Sequence, residues 1–178
     1  VFSVTDGSGF WAEKCKFDFI SGDAVELNDH SFWRLTKCWF GKQYFSVYLI
    51  NRCDYGVYEG NIYEGGYRNA GGFGDGIKTG VSNGSFGSRH CLIKDSFFFN
   101  EARDGIDTTG GMTGWTITNN YFRCATPIDI KQLTTESAPV AIEKNFSGTK
   151  IIGNTIHGGR IVITMNEDLD NVSALAQQ

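Results

Sequence analysis

Proline is almost missing from this chain, at 2 of 178 residues. Long apolar runs are missing too. None approaches the ~20 residues a helix needs to cross a bilayer, so no membrane span is predicted. No block of like charge occurs, and the net charge is −4. Without a basic stripe, nucleic acid is not a predicted partner. The opening VFSVTDGSGFW has neither the basic stretch nor the apolar core of a secretory signal. It also lacks an initiator methionine, as expected of a processed or excised piece, and the compartment is not legible from it. None of the five cysteines (Cys15, Cys38, Cys53, Cys91, Cys124) forms a CxxC pair. That argues against a zinc ribbon and for buried free thiols. No segment sustains apolar residues at i, i+3 and i+4, which argues against a helical fold.

Glycine and aromatic residues are plentiful instead, with 23 Gly and 14% Phe, Trp and Tyr. That balance predicts β structure with many turns. Two patterns then recur. The first is a small polar residue or Cys, any residue, then a large apolar one: CKF (15–17), CWF (38–40), NIY (61–63), SFF (96–98), NYF (120–122) and NTI (154–156). The second follows within a few residues: DAVELN (23–28), FSVYLI (45–50), DGIKTG (75–80), DGIDTT (104–109), TPIDIK (126–131) and GRIVIT (159–164). The central aliphatics Val25, Val47, Ile77, Ile106, Ile128 and Ile161 are 22, 30, 29, 22 and 33 residues apart. A base period of 22 with insertions at 65–74, 80–88 and 134–145 accounts for every step.

Short strands at that period, in one domain over 1–178, predict an all-β parallel β-helix. It would have about six coils of ~22 residues with inserted loops, over roughly residues 10–165, with 166–178 as a tail or cap. A β-sandwich also supplies short strands but does not explain six copies in register. Phe17, Phe40, Tyr63, Phe98, Phe122 and Ile156 should stack as one internal ladder.

Strand alternation assigns the faces. The central aliphatics point in, with Leu27, Leu49, Thr79, Thr108, Ile130 and Ile163. Glu26, Tyr48, Lys78, Asp107, Asp129 and Val162 point out. Lys78, Asp107 and Asp129 therefore make a charged stripe, with Lys131 beside Asp129. Asp23, Asp75 and Asp104 align where the chain enters the strand. Asp-Gly is a turn dipeptide, so Asp104 is expected in the turn, while Asp107 acts with neighbours on other coils. Bordering loops carry Tyr67, Arg68, Arg89, His90 and Arg103. The stripe predicts a groove for an acidic sugar chain, bound by Arg103, Arg89, His90, Tyr48, Tyr67 and Glu26. His30, in NDHS, is expected to cap or face solvent.

The phrases WTITNNYF (115–122), LIKDSFFFN (92–100) and KIIGNTIHGG (150–159) resemble the coils of right-handed β-helix proteins of the pectate-lyase-like superfamily. That superfamily includes polysaccharide lyases, glycoside hydrolases, epimerases and phage tailspikes. The resemblance implies a right-handed helix, a secreted or virion-surface setting and, as in phage members, a homotrimer. The catalytic candidates are Asp107, Lys78, Asp129, Lys131 and Asp104. In β-helix lyases a Lys or Arg removes the proton α to a uronate carboxylate, a role open to Lys78 or Lys131. Paired carboxylates on adjacent coils, Asp107 and Asp129, lie ~5 Å apart by strand spacing, which suits a retaining glycosidase, while Asp107 with Glu26 or Asp75 offers the longer separations of an inverting one. The GHG and DD signatures of polygalacturonases are absent. ARDGID is similar to the Asp-Asp-Gly-x-Asp calcium cluster of some pectate lyases, with Arg103 in place of the first Asp. Asp75, Asp104 and Asp107 are thus candidate Ca2+ ligands. The Arg89–His90 pair resembles one in alginate and chondroitin lyases. The expected function is cleavage of an acidic, uronate-containing polysaccharide by β-elimination or hydrolysis. The alternative is a non-catalytic glycan-binding or structural module of a phage tail or fibre.

Overall fold

The computed structural model describes residues 2–18, 22–42, 44–65, 74–80, 87–109, 112–132 and 148–165. For 101–102, 109, 129–132 and 163–165 the description covers the backbone alone. Strands are the only regular elements among these residues. In chain order they are β1 (Phe2–Ser8), β2 (Trp11–Glu13), β3 (Lys16–Phe17), β4 (Val25–Ser31), β5 (Arg34–Thr36), β6 (Trp39–Phe40), β7 (Val47–Ile50), β8 (Val57–Glu59), β9 (Ile62–Glu64), β10 (Ile77–Gly80), β11 (Leu92–Lys94), β12 (Phe97–Thr109), β13 (Thr116–Thr118), β14 (Tyr121–Gln132), β15 (Lys150–Ile152), β16 (Thr155–Ile156) and β17 (Val162–Met165).

Every described strand pair is parallel. One sheet has six strands, in the order β15-β13-β11-β8-β5-β2. The other has eleven and contains two rows: β1-β4-β7-β10 and β3-β6-β9. Both rows meet at β12, which pairs with β10 and β9, and continue through β14. The protein is therefore all-β, built of parallel strands in stacked sheets, with equivalent residues of successive repeats as hydrogen-bonded neighbours.

The turns explain why so short a strand unit repeats. Gly9, Phe32, Tyr55, His90, Gly114 and Gly148 precede the strands of the smaller sheet, and Lys14, Lys37, Gly60, Asp95, Asn119 and Gly153 follow them. All twelve have φ between 52° and 87°. A left-handed residue reverses the local direction, and non-glycine residues adopt it only when held there. Here the next repeat holds them. Lys14, Lys37, Gly60, Asp95 and Asn119 each donate a backbone N–H to a carbonyl one repeat on.

The small polar column closes the next corner. Asn61 Oδ1 accepts from Cys38 N at 2.8 Å, and Ser96 Oγ accepts from Asn61 N at 3.1 Å. Asn120 Oδ1 accepts from Ser96 N at 3.0 Å, and Asn154 Oδ1 accepts from Asn120 N at 2.9 Å. The Asn61, Asn120 and Asn154 amides also donate to the carbonyls of Leu35, Ile93 and Ile117. Backbone groups at this buried corner are thus satisfied by side chains of the neighbouring repeat.

Inside, Phe17 stacks on Phe40 with centroids 4.9 Å apart, and Phe98 on Phe122 at 4.8 Å. Tyr63 lies between Phe40 and Phe98 in the ladder. Val25, Val47, Ile77, Ile106 and Ile128 are buried, as are Leu27, Leu49, Thr79 and Thr108. Cys38, Cys53, Cys91 and Cys124 are buried free thiols, and Cys15 is half-buried.

Three details differ from the sequence reading. Ile156 and Ile161 are exposed; among the described residues β16 pairs with β14 alone, so nothing described packs on its other side. A further strand, β1, precedes the six copies and sets Phe2 opposite Val25 and Ser3 opposite Glu26. His30 is buried, and its Nε2 accepts from Phe10 N at 3.2 Å. The 166–178 tail and most of the three insertions lie outside the described residues.

Candidate functional site

Five positions form a continuous row by backbone register. Glu26 is the direct partner of Tyr48, Tyr48 of Lys78, Lys78 of Asp107, and Asp107 of Asp129. The Lys78 ammonium donates to Asp107 Oδ2 across this row. Lys78 remains partly open to solvent, whereas Asp107 is covered and only 3% exposed. Strand alternation alone puts Asp107 at the solvent surface; the side chain points away from the core yet is buried.

Glycines draw the strands together behind it. A Cβ on Gly76 would lie 2.4 Å from Gly105 O, and one on Gly105 would lie 2.6 Å from Pro127 O. No side chain fits either place. Both also face aromatic rings of the core ladder, Phe98 and Phe122. Gly76 N donates to Asp104 O at 3.1 Å, which ties the turn before β10 to the bend of β12. That bend is a register shift between Asn100 and Asp104.

The outcome is a compact acidic cluster. Asp75, Asp104 and Asp107 bring one carboxylate oxygen each within 4.8 Å of one another. Asp75 is 4% exposed and Asp104 8%. Asp75 Oδ1 is buried with no hydrogen-bond partner. Burial, then the charges on Asp107 and Asp104, push the Asp75 carboxyl up to about 7, against the opposing pull of Lys78 and Arg103. Desolvation and like charge both favour the protonated acid. Asp23, in the same column near one end, rises to about 6 through burial and Glu26.

The cluster has two ways to relieve its charge. A proton on Asp75 is one. A hard cation is the other, since oxygens spread over 4.8 Å can share one Ca2+ with Ca–O distances of ~2.3–2.6 Å. The donor set fits such an ion, with the Lys78 ammonium as a competing positive charge.

Tyr48 lies in the row, its hydroxyl over Gly80, where a Cβ would approach to 2.6 Å. Burial, then Asp23 and Glu26, raise its phenol above the usual range. Glu26 accepts from Ser3 Oγ at 3.0 Å. Arg103 sits in the bend of β12. Arg89 and His90 stand elsewhere, at the turn into β11. Arg89 donates to Asp54 through N at 2.8 Å and Nε at 3.4 Å, and His90 stacks on Tyr55 at 5.3 Å. Asp129 and Lys131 join by backbone register alone, opposite Asp107 and Thr109. Tyr67 lies outside the described residues.

The sequence reading missed a second feature, on the outward face of the row β3-β6-β9. Phe97 and Phe99 are 46% and 37% exposed. Their rings lie within 6.2 Å of each other and of Tyr121. The signal was present in SFFF: if Phe98 points in, its two neighbours point out. No protein-family model, curated protein or solved structure matches this chain.

Proposed function

We propose that this protein is a right-handed parallel β-helix that cleaves an acidic, uronate-containing glycan, in a secreted or virion-surface setting. Hydrolysis is the chemistry its cluster suits best. The carrying observation is the pairing of two carboxyls in unlike settings. Asp75 is buried and holds a proton to about pH 7, while Asp107 is bound by the Lys78 ammonium. Such a divided pair supplies an acid and a carboxylate at one pH.

One oxygen from each lies within 4.8 Å of the other, which leaves less room than the roughly 6.5–9.5 Å between carboxyls that inversion needs and so favours retention. Asp75 gives its proton to the glycosidic oxygen as the C–O bond breaks. Asp107 attacks the anomeric carbon and forms a glycosyl ester. Water, losing a proton to Asp75, then attacks that ester and releases the sugar and free Asp107. The Lys78 ammonium is engaged by Asp107, which disfavours Lys78 as the base of an elimination.

A second reading rests on the partnerless Asp75 Oδ1. There Asp75, Asp104 and Asp107 hold Ca2+, whose charge would bind and polarise the uronate carboxylate. The two readings compete for the same oxygens, so one assay separates them. Hydrolysis releases reducing ends without absorbance near ~235 nm, proceeds in chelator and is inhibited by millimolar Ca2+. Elimination gives the unsaturated chromophore, and loss of activity in chelator would support the calcium reading.

A further inference from the structure

Asn100 is a buried amide within β12, 3% exposed, beside the register shift that bends the strand. Its direct partner on β14 is Cys124, whose thiol donates to Phe98 O. The amide is thus not repeated on the neighbouring strand. Asn100 Nδ2 donates to two carbonyls, Gly74 O and, at 3.2 Å, Asp104 O. An amide nitrogen carries two N–H donors, one for each, whereas a hydroxyl has one. Asp104 O also accepts from Gly76 N at 3.1 Å, and Gly74 O accepts from the buried Tyr63 hydroxyl at 2.8 Å. Asp75 stands between Gly74 and Gly76. Both its neighbours are therefore tied to β12, one through Asn100 and the other through Asp104 itself.

We propose that Asn100, with Tyr63, is the positioning residue for the acid of the cleavage site. It holds the turn 74–76 against the bend of β12 and so sets Asp75 opposite Asp107. The inference rests on the hydrolytic reading above and says what aligns its two carboxyls. The glycines beside Asp75 bring no side chain to fix the turn and have more backbone freedom than other residues. Asp75 Oδ1 has no hydrogen-bond partner, so the placement of that oxygen depends on the backbone that carries it. A displacement of about 1 Å between reacting groups can cost on the order of a hundredfold in rate. Asn100 acts on that distance without touching substrate.

The test is carbon-13 spectroscopy of the aspartate side-chain carboxyls, at one fixed pH in chelator, on the wild type, Asn100→Ala and Tyr63→Phe. In Asn100→Ala each of the two carbonyls keeps its other donor, so the fold should persist by circular dichroism. The Asp75 resonance should move in Asn100→Ala, and move less in Tyr63→Phe, which keeps the ring in its ladder. Asp23 and Asp54, outside this turn, should stay in place. The Gly76 amide of Asn100→Ala should exchange with solvent tenfold or more faster. Where glycan is cleaved, Asn100→Ala should lower kcat tenfold or more and leave KM within twofold. An amide that only supports the fold would lower stability and leave the Asp75 resonance and kcat of the folded protein at wild-type values, which would overturn the proposal. A shift shared equally by Asp23 and Asp54 would be general loosening and would also overturn it. If Asn100→Ala does not fold, Tyr63→Phe decides alone, and an unmoved Asp75 resonance overturns the proposal. A wild type that cleaves nothing, with the Asp75 resonance moving as expected, removes the hydrolytic reading and keeps the placement of Asp75 by Asn100.

Discussion

Lys78 and Asp107 are direct partners on adjacent parallel strands, and the lysine ammonium is bonded to the aspartate carboxylate. The pair sets one positive charge against three clustered carboxyls. Truncating the lysine alone leaves a covered carboxylate without its counter-charge, which is far costlier than removing both partners. Lys78→Met should destabilise the fold by ~3 kcal/mol. Lys78→Met with Asp107→Leu should cost markedly less. Urea denaturation of the two single variants and the double variant measures the difference.

Asp75 gives the cluster a pH dependence. Its carboxyl is raised from 3.8 to about 7. Between those values the native state holds a proton that the unfolded chain has released, so stability falls as pH rises. The slope is at most ~1.4 kcal/mol per pH unit from one group, and it ends above the folded value. Urea midpoints from pH 4.5 to 8 should show that decline in chelator, and Asp75→Asn should flatten it.

His30 acts on the acid side. Burial lowers its pKa from 6.5, and its Nε2 accepts the Phe10 N–H. Below 6.5 the unfolded chain takes up a proton that the native imidazole refuses. Stability therefore falls as pH drops below 6.5, until the native imidazole titrates too. A proton-resolved titration of His30 should give a midpoint below 6.5; a midpoint at or above it would contradict the buried acceptor role.

Gly105 tests the close approach behind the site. An added Cβ would lie 2.6 Å from Pro127 O and 2.8 Å from the Phe122 ring. Gly105→Ala should cost ~3 kcal/mol or more, at the upper end for overpacking. Gly22→Ala, where a Cβ meets nothing within 4 Å, is the control and should change thermal stability little.

Much of this arrangement is legible in the sequence because parallel neighbours repeat the same environment. The register of Glu26, Tyr48, Lys78, Asp107 and Asp129 follows from the spacing of the central aliphatics alone. The small polar column is legible for the same reason: each corner offers the same backbone groups to the next Asn or Ser. Burial is less legible. Alternation says that Asp107 points away from the core, but not that neighbours cover it or that Asp75 and Asp104 close around it. That depends on the bend of β12 near Asp104, a local irregularity no period predicts. Strand β1 escaped because Phe2 lacks the six copies' full pattern, although VTDGS (4–8) parallels LNDHS (27–31). Arg89 and His90 were drawn to the site by chain proximity to a loop, whereas their partners Asp54 and Tyr55 belong to the preceding turn.

The central claim is that Asp75 and Asp107 cleave a glycan together. The most direct measurement is the release of reducing ends from a panel of uronate polymers by the wild type, Asp75→Asn and Asp107→Asn, across pH 5 to 9 in chelator. Activity should fall as pH rises through about 7, where Asp75 loses its proton. Each variant should lose a hundredfold or more in kcat while remaining folded. Cleavage by either variant at the wild-type rate, or no cleavage of any polymer by the wild type, would contradict the claim.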